Sequence, residues 1–190
     1  YVTLDFLQKL YRVAGDQILY KRLYNAVDNH GSFEAVLKNL NLNAIAGHFK
    51  SSLSPNAGLI EFYCNIALTL LQNDNHDAFT EAKKYLFENQ RSFTLHELNN
   101  LVTALQNFCL ETSQKGNLQL REELFTLHEF RLKHDLLTYE NKMLNKTLFT
   151  QIVSNAIILG KTDWAQNFIK QYSPALAAEQ RESVTALAES

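Results

Sequence analysis

Residues 93–127 read FTLHELNNLVTALQNFCLETSQKGNLQLREELFTL, and this stretch decides the fold class. Thr94 followed by Glu97 forms a capping box, in which a hydroxyl and a carboxylate satisfy the free backbone amides at a helix start. Phe93 and Leu98 stand at the positions of a hydrophobic staple across it. Leu95, Leu98, Leu101, Val102, Leu105, Phe108 and Cys109 then recur three and four residues apart, which gathers them on one helical face. Gly116 suits the end of that helix because glycine takes the left-handed conformation without steric cost. Asn117 suits the start of the next, in which Leu120, Leu124, Leu127 and one of Phe130 or Leu137 turn toward a core.

Working outward, the same joint recurs. Gly31, Asn73, Gly116 and Gly160 lie 42, 43 and 44 residues apart. Eleven residues before each joint stand Tyr20, Phe62, Leu105 and Phe149; seven before stand Tyr24, Ile66, Cys109 and Val153. Four before stand Val27, Thr69, Thr112 and Ala156, so the three columns step by four and three along one buried stripe. With 46% of all residues apolar, one uniformly apolar column arises by chance now and then, but two at helical spacing point to an internal repeat. Nine residues after the joints stand Leu40, Ala82, Phe125 and Ile169, with Ala35 and Val36, Ala78, Leu120, and Trp164 with Ala165 one turn earlier. The second helix of each pair is therefore amphipathic too, although Asn39 and Glu81 occupy the place of Leu124 and Phe168.

Six glycines and two prolines in 190 residues leave few tight turns, and no stretch alternates as a strand does, so the chain is expected to be all-α. The pattern predicts helices near 3–14, 16–30, 33–40, 56–72, 75–89, 94–115, 117–140, 146–159, 162–172 and 175–188. The span 41–54 holds either a short helix around Ala44 to Phe49 or a loop. Ser32 and Thr162 are candidate N-caps, and Ser54-Pro55 and Ser173-Pro174 each place a cap before a proline suited to the first helical position. The expected architecture is a right-handed superhelix, or solenoid, of stacked antiparallel helix pairs forming one domain over 1–190. A partial repeat at 1–14 precedes hairpins at 16–54, 55–92, 93–144 and 145–173, and a further partial repeat follows at 174–190. Because both ends stop inside amphipathic patterns, the chain is expected to be a piece of a longer protein.

Residues 159–174, LGKTDWAQNFIKQYSP, carry a turn glycine, the small Ala165 where paired helices touch, the aromatic Phe168 and the closing Pro174. This passage resembles the tail of a tetratricopeptide-like helical hairpin. The period here exceeds that family's, which is about 34 residues, and the family's Trp-Leu-Gly pattern is missing from the first helices. HEAT-like long hairpins fit the period as well. The resemblance implies a scaffold that binds proteins or peptides.

Charge and chemistry narrow the function further. A net charge of −2, a pI near 6.3 and dispersed basic residues argue against nucleic acid and anionic membranes as partners. No apolar run approaches membrane-spanning length. Cys109 lies in a core column and Cys64 beside another, so both read as free structural thiols of a reducing, cytoplasmic compartment. His128 and His134, six apart, diverge too far on one helix to chelate one ion, and His30, His48, His76 and His96 fall near helix ends. Glycine-rich phosphate loops and nucleophile elbows are absent. No catalytic, cofactor or metal-binding residue is therefore assigned, and the chain is not expected to be an enzyme. Partner-binding residues are expected on first-helix positions beside the core columns, for instance Lys21, Tyr63, Gln106 and Gln151. The alternatives are a catalytic or small-molecule-sensing domain whose pocket the sequence does not reveal, and a structural spacer.

Overall fold

A computed structural model describes residues 3–10, 12–13, 39–51, 55–72, 75–113, 117–137, 144–177 and 181, and all regular secondary structure among them is helical. The chain divides into two compact units, Tyr1–Glu111 and Thr112–Ser190. The first contains α1 (residues 3–10), α2 (Leu42–Lys50), α3 (Ala57–Leu71), α4 (His76–Glu88), a 3-10 turn (Gln90–Ser92) and nearly all of α5 (Leu95–Ser113). The second contains α6 (Leu118–Lys133), α7 (Lys146–Ile158), α8 (Thr162–Tyr172) and a 3-10 turn (Ser173–Ala175).

Asparagine starts most of these helices. The side-chain oxygens of Asn41, Asn75, Asn117 and Asn145 accept hydrogen bonds from backbone amides two or three residues on, in the first turns of α2, α4, α6 and α7. Each satisfies a donor that a helix start leaves open. At α5 the capping box forms as the sequence predicts: the Glu97 amide donates to Thr94 Oγ1 at 3.2 Å, and the Thr94 amide donates to Glu97 Oε2 at 3.0 Å.

In the first unit α2 and α4 both pack on α3. The pairing of α3 with α4 is antiparallel, since Phe62 near the start of α3 stacks at 4.9 Å on Tyr85 near the end of α4. Phe79 stacks on Phe108 of α5, also at 4.9 Å. In the second unit α7 and α8 form the corresponding antiparallel pair, with the rings of Phe149 and Phe168 5.2 Å apart. The Leu144 amide donates to the Ala175 carbonyl at 2.8 Å, tying the start of α7 to the turn that follows α8.

The predicted columns occupy the core. Phe62, Leu105 and Phe149 are buried, as are Ile66, Cys109 and Val153. In the third column Thr69 and Ala156 are buried and Thr112 is half-buried. The Thr69 hydroxyl donates to the Asn65 carbonyl at 2.7 Å, so a hydroxyl in a core column leaves no open donor. Ala82, Phe125 and Ile169 of the second helices are buried and Leu40 is half-buried. Removing a Phe, Leu or Ile side chain from water contributes about 1.5–3 kcal/mol, so these positions supply much of the driving force. The first copy of the columns, Tyr20, Tyr24 and Val27, lies outside the described residues, as do Gly31, Asn73 and Gly116. Gly160 is described, and its φ is 70°; the Lys161 amide reaches back to the Ala156 carbonyl at 2.9 Å, closing α7 in a left-handed turn.

Several boundaries differ from the sequence expectation. The helix predicted over 117–140 stops at Lys133, because Asp135 takes the left-handed conformation (φ 53°) and the Leu136 amide bonds back to the Arg131 carbonyl. Aspartate is a minority choice for that conformation, so no glycine marked the stop. Both Phe130 and Leu137 are buried, where one was expected. The ambiguous span 41–54 contains the helix α2. Lys161, not Thr162, occupies the cap position of α8, and Asn56, not Ser54, that of α3; neither makes a side-chain cap. The Ser173-Pro174 pair opens a single 3-10 turn, after which Leu176 is extended, so the helix predicted over 175–188 does not start at 175, although Arg181 within that span is helical and most of its other residues lie outside the described ones. Leu95, expected on the buried face of α5, is exposed. The predicted helix 16–30 and the Ser32 cap lie outside the described residues.

Candidate interaction surface

The surface positions expected to bind partners resolve unevenly. Tyr63 and Gln106 are buried, at 1% and 4% exposure, and so are unavailable to a partner. For Tyr63 the reason is visible in α3, AGLIEFYCNIALTLL, whose one charged residue is Glu61. A helix apolar around its whole circumference is covered on more than one side, so the neighbour of a core column is itself core. Tyr63 keeps its hydroxyl satisfied by accepting from Gln8 Nε2 of α1 at 3.1 Å. Lys21 lies outside the described residues. Gln151 is half-exposed, on the outer side of α7.

That outer side is built from Thr147, Gln151, Ser154 and Ile158, spaced four, three and four apart, with Ile157 adjacent. The opposite side carries the buried Phe149, Ile152, Val153 and Ala156. After Lys146 the helix has no charged residue through Ile158, and Ile157 and Ile158 stand 45% and 51% exposed. Large aliphatic residues on a solvated face are ordinary when isolated, but two in succession at the end of an uncharged face are less so.

Asn155 of α7 is buried, and its Nδ2 donates to the Arg121 carbonyl of α6 at 3.0 Å. Leu118 and Ile158 each lie three residues, about 4.5 Å along their own helix, from that link. Leu118 is 62% exposed. Beside this end, Lys161 Nζ lies 3.5 Å from Glu122 Oε2 and 4.8 Å from the centre of the Phe125 ring. The half-buried Trp164 packs edge-on against Phe125 at 4.7 Å and stacks on Phe168 at 5.4 Å, so it acts as a hairpin core residue, as the sequence suggests. The exposed pair Ile157 and Ile158 is thus followed, three residues after Ile158, by the ion-paired Lys161.

Neither a known protein family, a curated protein nor a solved structure matches this chain.

The titratable groups lie elsewhere. His128 of α6, which the sequence reading weighed only as a metal ligand, is buried at 1% exposure; burial, reinforced by the Arg131 charge one turn on, pushes its imidazole down to about 3. It is therefore neutral at physiological pH. Arg131, also buried, is lowered to about 10 by desolvation and stays charged. The helical spacing of His128 from Phe125 and Leu132, both in core clusters, was the signal that could have found its burial. Cys64 and Cys109 are buried reduced thiols; burial, with Glu61 adding to it, pushes the Cys64 thiol up to about 11, far from a reactive thiolate. No group of three or more His, Cys, Asp or Glu among the described residues is placed to hold a metal ion. Among the same residues, no helix is long and apolar enough to cross a membrane.

Proposed function

We propose that the protein is a binding scaffold of tetratricopeptide-like helical hairpins stacked in a right-handed superhelix, which takes a protein or peptide partner and has no catalytic activity of its own. The observation that carries this reading is the outer face of α7: Thr147, Gln151, Ser154, Ile157 and Ile158 present hydroxyl, amide and aliphatic groups and no charge. Covering such a face costs little desolvation compared with stripping water from lysines and carboxylates, and depletion of charge is what distinguishes the centre of protein interfaces from other surface. A cytoplasmic location accords with the two buried reduced thiols.

The double substitution Ile157→Glu/Ile158→Glu tests the reading. It should remove the protein that co-purifies with the wild-type chain from its host cell while leaving the melting temperature unchanged, since both residues are already exposed. Retention of that partner at wild-type yield would overturn the assignment of this face.

A further inference from the structure

We draw no further inference here: the strongest candidate, the exposed aliphatic pair Ile157 and Ile158 at the Gly160 end of α7, belongs to the surface already described, and nothing in the structure shows what covers it.

Discussion

Helices α4 and α7 each span 13 residues and belong to antiparallel hairpins, yet they turn different chemistry outward. On α4, Ala78, Phe79, Ala82 and Leu86 are buried, while Asp77, Glu81, Lys84 and Glu88 are exposed. On α7 a comparable set, Phe149, Ile152, Val153 and Ala156, is buried beneath an outer face of threonine, glutamine, serine and isoleucine. The inner faces answer one physical demand, the removal of apolar area from water, and so converge. The outer faces escape that demand. Their difference is therefore where information about function resides: α4 turns charges outward and α7 does not.

The largest effect should separate the two faces of α7 within adjacent residues. Val153→Asp puts an unpaired carboxylate at a 2%-exposed site and should destabilise by on the order of 3–5 kcal/mol. Ser154→Asp adds the same charge to the exposed side and should change stability by less than about 0.5 kcal/mol. Urea midpoints measure both; similar midpoints for the two variants would mean the faces are misassigned.

Acid should distinguish the units. His128 in the second unit is held neutral far below its ordinary 6.5, whereas His48, His76 and His96 of the first are exposed. Since the folded value lies below the unfolded one, the unfolded chain gains a proton that the folded chain refuses as pH falls through 6.5. Stability should thus decline from about pH 6.5 toward 3, by roughly 2 kcal/mol on reaching pH 5. Urea unfolding of the wild type and of His128→Leu at pH 7 and pH 5 checks this. The variant should lose the larger part of the decline; an identical pH dependence would place its origin elsewhere.

Two glycines give smaller shifts of opposite sign. Gly160→Val forces a branched side chain to φ 70° and should cost about 1–2 kcal/mol. Gly47→Ala, in the interior of α2 with open space around the added methyl group, should stabilise by roughly 0.5–1 kcal/mol. Melting curves moving in the same direction for both would contradict the assignment of Gly160 as a joint.

These contrasts also show how much was legible in the sequence. The capping box at Thr94 and Glu97, the buried columns through Phe62, Leu105 and Phe149, and the Gly160 turn depend on local chemistry and helical periodicity, which a sequence displays directly. The stop at Asp135 did not stand out, because a left-handed aspartate is held by the Leu136 bond to Arg131 and by the burial of Leu136 and Leu137, which are tertiary effects. Tyr63 and Gln106 were expected at the surface because one buried stripe was assumed per helix; for Tyr63 the scarcity of charge in α3 was the overlooked signal. The same scarcity in α7 has the opposite outcome for Ile157 and Ile158, since composition states that a face lacks charge without stating whether the chain itself covers it. Gln151 falls on the candidate surface, but the exposure of Ile157 and Ile158 beside it emerges only from the packing.

Site-specific photo-crosslinking in the host cell tests the central claim most directly, with the photoreactive residue placed at Ser154 of α7 or at Thr80 of α4, both exposed. The account predicts a discrete protein adduct from Ser154 and none from Thr80. The absence of an adduct at Ser154, or the same adducts from both positions, would contradict it.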